Sequence, residues 1–159
     1  MIRRISSLLK CLRRDTEGAV LTETIVVVPF VTLFSVGILE FGNMFWQKEQ
    51  IETGLRDAAR YLARCQPSSA ASGFVSQCSE TIARRIAYYG TSSATATVPR
   101  VTGWIPARSV ITFEYPVRNG HEVVVARTNH VYSASPLFGW LDLDAVTIQA
   151  YHEQRYVGW

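Results

Sequence analysis

Hydrophobic and polar positions change their period three times along this chain of 159 residues. Residues 24–46 are almost continuously apolar, with Glu40 as the one charge. At 1.5 Å per residue that run makes a helix of roughly 34 Å, enough to cross a bilayer. Phe41, Phe45 and Trp46 stand at its far end as interfacial aromatics. The run is too long for an ordinary secretory signal and no A-x-A-like site follows it, so it predicts a retained anchor. The period then becomes helical: Ile51, Leu55, Ala58 or Ala59, and Leu62 recur every three or four residues, with Glu49, Glu52, Arg56, Arg60 and Arg64 on other faces. This extends the same helix by several turns, and the Pro/Ser/Gly-rich run 66–73 ends it. A second helix is predicted next, with Phe74, Cys78, Ile82 and Ile86 on one stripe and Gly90 as its stop. Arg84 and Arg85 fall on its polar side and read as a solvated face.

The remainder is rich in β-branched and aromatic residues and predicts strands over 95–101, 110–115, 122–132 and 145–156. Asn119-Gly120 is a hairpin signal joining the second and third of these. Between the last two lies the apolar loop 135–141, whose Phe138 and Trp140 either cap the sheet core or form a subunit contact. The pattern is that of an α+β protein: a long N-terminal helix, a second helix and a small antiparallel sheet.

Charge narrows the partners. The formal net charge is +3. The segment 1–18 carries Arg3, Arg4, Lys10, Arg13 and Arg14 against Asp15 and Glu17, so the whole excess lies there and the rest is neutral. A neutral body has no electrostatic footprint for nucleic acid. The basic cluster is a topology signal that holds the N-terminus in the cytoplasm. Three segments follow: a cytoplasmic leader 1–18, a transmembrane helix 19–46 and an extracytoplasmic α+β domain 47–159, single-pass in a bacterial inner membrane and in contact with its lipid.

Two residues within the helix need physical accounts. A carboxylate in a spanning helix costs roughly 2.5–3.5 kcal/mol at the bilayer centre. Glu23 lies four residues past Ala19, roughly 6 Å along a helix, where it either reaches the headgroups or pairs with a charge. Cleavage of Gly18–Ala19 would create an α-amino group on Ala19, and Glu23 of one chain could pair with that group on the next, each offsetting burial of the other. Pro29 removes a hydrogen bond to the Ile25 carbonyl and predicts a kink. It serves either as a weak point for repacking or as one of the prolines common in spanning helices. Gly37 and Gly42 permit close helix approach but lack the GxxxG spacing.

Residues 15–20 (Asp-Thr-Glu-Gly-Ala-Val) through Pro29-Phe30, then Gly37-Ile38-Leu39-Glu40-Phe41-Gly42, and Leu55-Arg56-Asp57-Ala58-Ala59-Arg60-Tyr61 together resemble a TadE-like domain of the tight-adherence (Tad/Flp) pilus assembly system. The resemblance covers about a third of the chain. It implies a pilin-like fold and a minor pilin or pseudopilin of a Tad-type pilus, cut at Gly18–Ala19 by a prepilin peptidase and needed for pilus assembly, surface adhesion and biofilm formation. The implied partners are that peptidase, other Tad pilins or pseudopilins and the inner-membrane assembly platform, with the pilus itself as a final address. Thr24 follows Glu23 where the major Flp pilins carry Tyr, and the chain is far longer than they are, so a minor component is implied. The alternative is an uncleaved bitopic membrane protein whose periplasmic domain scaffolds or binds another envelope component.

The cysteines sort by compartment. Cys11 falls in the leader and stays reduced, whereas Cys65 and Cys78 bracket the Pro/Ser/Gly loop in an oxidising compartment and predict a disulfide. Its loop of about 14 residues corresponds to roughly 3 kcal/mol in the chain-entropy model. Two cysteines without paired histidines make a poor zinc site, so no metal or other cofactor is expected. His121, His130 and His152 are the histidines. His152-Glu153 begins an H-E pair, but Tyr156 stands where a zincin needs its second histidine. No phosphate loop or nucleophile elbow is present, and the sequence reads as a structural protein, not an enzyme.

Overall fold

A computed structural model describes residues 16–66, 68–69, 71–132 and 145–158. Helix α1 spans Thr16–Ala63 and α2 spans Glu80–Tyr89; the strands are β1 (Ile111–Glu114), β2 (Val117–Arg118), β3 (His121–Val131) and β4 (Thr147–Arg155). The class is α+β with a small antiparallel sheet, as the periodicity predicts. Cys11 and the Phe138/Trp140 loop lie outside the described residues. The chain divides into two compact units, Met1–Gly42 and Asn43–Trp159. Helix α1 supplies the described part of the first and the opening element of the second.

In the second unit β3 is the central strand, with β1 and β2 along one side and β4 along the other, all antiparallel. The register runs from Ile111↔Thr128 to Glu114↔Val125 and resumes unchanged at Val117↔Glu122. Pro116 explains the gap, because it has no N–H to give the ladder; its carbonyl still accepts from Val123 N at 3.0 Å. Asn119 (φ 51°) and Gly120 (φ 75°) close the hairpin. Two successive left-handed residues are the type I′ geometry that suits the strand twist.

Period two on β3 turns Val124, Ala126, Thr128 and His130 inward. Against this face lie Ile51, Leu55, Ala58, Ala59 and Leu62 of α1, all buried, together with Ala83, Ala87 and Tyr88 of α2. Gly54 marks the closest approach: a Cβ there would fall 2.6 Å from the Ala87 carbonyl oxygen and 2.9 Å from Trp104 Cη2. The last turn of α1 has carbonyls without helical partners. Ala63 O accepts from Val157 N at 2.9 Å and Gly158 N at 3.3 Å, and Cys65 O accepts from the Tyr156 hydroxyl.

Two expected elements differ. Helix α2 begins at Glu80, because Ser79 is its N-cap and accepts from Thr81 N at 3.2 Å. Phe74 and Cys78 therefore precede the helix, and its buried residues are Ala83, Ala87 and Tyr88, while Ile82 and Ile86 are half-buried. Gly90, at φ 73°, terminates it as predicted. No strand forms over 95–101. Pro99 interrupts that run, Val98 points outward, and Arg100 N donates instead to Tyr88 O at 2.8 Å. The loop earns its order by burying Val101 and Trp104, the latter edge-on to Tyr88 at 5.0 Å.

Candidate functional site

The described part of the first unit is a helix whose apolar side chains face outward on every side. Val20, Leu21, Ile25, Phe30, Phe34 and Ile38 are all exposed. Its most apolar window has a mean hydropathy of 2.1 and is 6% buried, so this helix is long and apolar enough to cross a membrane. An apolar surface of that extent needs lipid or protein against it.

From Thr22 onward its hydroxyls are satisfied within the helix. Thr22 donates to Gly18 O and Thr24 to Val20 O, each at 2.7 Å; Ser35 donates to Val31 O at 2.8 Å. Thr32 is shared between Val28 O at 3.0 Å and Pro29 O at 2.9 Å. Such back-bonding removes the cost of a hydroxyl in hydrocarbon, and around Pro29 it strengthens a turn that lacks one backbone donor. The helix is continuous through Pro29.

Helix α1 starts at Thr16, so Gly18 and Ala19 lie in its first turn. The N–H groups of a first turn have no helical acceptors, which makes it the segment that frays most readily. Gly18 and Glu23 are exposed. Nothing lies within 4 Å of a Cβ built on Gly18, Gly37 or Gly42, so the helix surface is open at each of these positions.

Beyond the apolar helix the predicted cysteines meet. Cys65 and Cys78 form a disulfide with Cα atoms 5.8 Å apart, joining the end of α1 to the approach to α2. Arg84 is not simply solvated: Nε donates to Ile111 O at 3.2 Å, Nη2 reaches Glu80 Oε2 at 2.8 Å, and the guanidinium stacks 5.4 Å from the Phe113 ring centroid. It ties α2 to β1, a role that only the fold could assign.

The three histidines occupy separate positions on the sheet. His121 faces Arg155 Nη2 at 3.1 Å, and His152 is half-buried opposite Ala126. His130 is buried opposite Ile148, with Nδ1 3.1 Å from Ser109 Oγ. Burial lowers the pKa of both His130 and His152, and Arg56 and Arg60 lower that of His152 further. Among the described residues no group of three or more His, Cys, Asp or Glu side chains is placed to hold a metal.

The model of the TadE-like protein family matches residues 18–60. The match begins at the Gly18-Ala19 junction and ends at Arg60, spanning the exposed apolar helix and the first buried turns of the second unit. The resemblance read from the junction and the Ala58-Ala59-Arg60 segment thus holds over this stretch. It associates the chain with the Tad pilus system. No curated protein and no solved structure matches the chain.

Proposed function

We propose that the chain is a minor pilin or pseudopilin of a Tad-type pilus, anchored by residues 19–46 with the domain 47–159 in the periplasm. The observation that carries this is the TadE-like segment, which begins at the junction and whose large apolar side chains are exposed from Val20 to Phe41. A prepilin peptidase cuts Gly18–Ala19 after the first turn of α1 opens, since a protease needs an extended backbone and this turn is the least bonded. The released helix keeps its anchor and packs laterally against other pilins and the assembly platform. Glu23 then pairs with the new Ala19 ammonium of a neighbouring subunit, where each charge offsets the desolvation of the other. The role is structural, in assembly and adhesion.

Intact-mass measurement of the membrane-extracted chain, with and without the peptidase, tests this. Peptidase-dependent loss of residues 1–18 is the expected result. A full-length chain under both conditions, with the peptidase active on another substrate, would replace it with the bitopic scaffold. If cleavage occurs, Glu23→Ala should leave processing intact and reduce incorporation into filaments.

A further inference from the structure

The two edges of the sheet are finished differently. On one side β1 and β2 are short and Pro116 interrupts them, which blunts that edge against further strands. On the other side β4 runs for 9 residues in unbroken register with β3. Tyr132 N donates to Val146 O at 2.8 Å and Tyr156 N to Glu122 O at 2.9 Å. That phase turns the backbone N–H and C=O groups of Ile148, Ala150, His152 and Gln154 toward β3. Those of Thr147, Gln149, Tyr151, Glu153 and Arg155 point away from it. No described residue gives this outward set a backbone partner. From Thr147 to His152 the edge carries no proline, no bulge and no Lys, Arg, Asp or Glu, the devices that would keep another strand off.

Two further features suit a strand laid along this edge. A hollow of about 260 Å³ lies between the edge and α1, bordered by Met44, Phe45, Lys48, Ile148 and Gln149. It stands on the core side of β4, toward which alternate side chains of an added strand would point. The flank of α1 beside the edge is basic. Lys48 borders the hollow, and the exposed Arg56 and Arg60 lie close enough to His152 to lower its pKa. Glu52 answers Lys48 at 3.7 Å, whereas neither arginine forms an ion pair with a described residue. We propose that the β4 edge takes an extended segment of another protein as a further strand, with an apolar side chain for the hollow and acidic side chains for Arg56 and Arg60. Backbone bonds to Thr147, Gln149 and Tyr151 supply affinity; the hollow and the arginines supply selectivity. A second copy does not fit. Residues 43–63 of α1 run the same way as β4, with Phe45 and Val146 bordering one hollow and Ala63 O accepting from Val157 N at the other end. A two-fold β4–β4 pair would point the two α1 helices in opposite directions, which the anchoring proposed above forbids in one membrane.

The detergent-extracted full chain is titrated with a capped peptide of valine and threonine carrying one leucine and two glutamates, and with its counterpart carrying lysines in place of the glutamates. Amide NMR shifts and hydrogen exchange are followed residue by residue. The acidic peptide should bind saturably and slow exchange at Thr147, Gln149 and Tyr151, whose N–H groups point outward. The lysine peptide should bind about tenfold more weakly. Gln149→Pro deletes an outward N–H while sparing the ladder to β3, and should weaken acidic-peptide binding about tenfold or more. Arg56→Glu with Arg60→Glu, both exposed, should reverse the preference between the peptides, which keeps the test decisive if the proline variant is unstable. No saturable binding of the acidic peptide, protection that misses the outward amides, undiminished binding by a folded Gln149→Pro chain, or an unreversed preference in the arginine pair would each overturn the proposal. Sedimentation without peptide completes it. A dimer that dissociates in Gln149→Pro would assign the edge to a second copy and overturn the proposal, and a monomer supports it.

Discussion

Arg100 Nη2 lies 2.6 Å from Asp57 Oδ2, joining a loop with no regular structure to the long helix across 43 positions of sequence. The arginine side chain is 19% exposed and the aspartate 37%. Partial solvation discounts the attraction, yet removing the arginine leaves Asp57 without its counter-charge and frees the loop that seats Trp104. Arg100→Ala should therefore cost about 1–2 kcal/mol, measured by denaturant unfolding. Asp57→Asn should cost less, and an Arg100→Ala variant as stable as the parent would show that the hydrophobic contacts alone hold the loop.

Gly54 gives the sharper steric test. An added methyl would lie 2.6 Å from the Ala87 carbonyl oxygen, a backbone atom that cannot swing aside. Gly54→Ala gains helix propensity of about 1 kcal/mol, but overpacking should outweigh it and leave a net loss of roughly 1–2 kcal/mol. A lower thermal midpoint is expected. A higher one would mean that α1 and α2 separate without penalty.

The Cys65–Cys78 disulfide closes a segment with a sequence separation of 13. Loop-closure entropy sets its contribution at roughly 3 kcal/mol. Reductant, or the Cys65→Ser and Cys78→Ser pair, should lower unfolding stability by about that amount. The sheet should persist by far-ultraviolet circular dichroism, because the core built on Leu55, Trp104 and Val124 does not include the bridge.

Acid should destabilise the second unit through two histidines. Burial lowers the pKa of His130 and His152 below 6.5 in the folded state, so the unfolded chain binds more protons than the folded one as pH falls. The stabilisation is present above the unfolded pKa and is lost as pH drops through the lowered folded values. Denaturation midpoints should be flat from pH about 7 upward and fall as the pH drops below about 6.5. His152→Gln should flatten part of that slope; an unaltered profile would place the titration elsewhere.

The helical signal was readable wherever one periodicity dominated. Residues 24–46 and the Ile51-Leu55-Leu62 stripe specify helix because each position repeats the same instruction, and Asn119-Gly120 specifies its turn because few residues tolerate two left-handed conformations. The junction at Gly18 and the carboxylate at Glu23 could be singled out for a similar reason, since small residues and a charge beside a long apolar run carry chemical meaning without neighbours. The run 95–101 failed because strand propensity is mainly a measure of fit to a sheet: Pro99 could not join a ladder, and Trp104 had a pocket against Tyr88. Arg84, Gly54 and the Ser109–His130 pair had no sequence signature at all, as their partners lie on other elements. The chain's own order thus determined the apolar helix, its helical extension and the hairpin, which rest on local periodicity. Which loop fills the core, which arginine becomes structural, and which imidazole is buried were decided by tertiary packing, because those properties depend on distances between residues far apart in sequence.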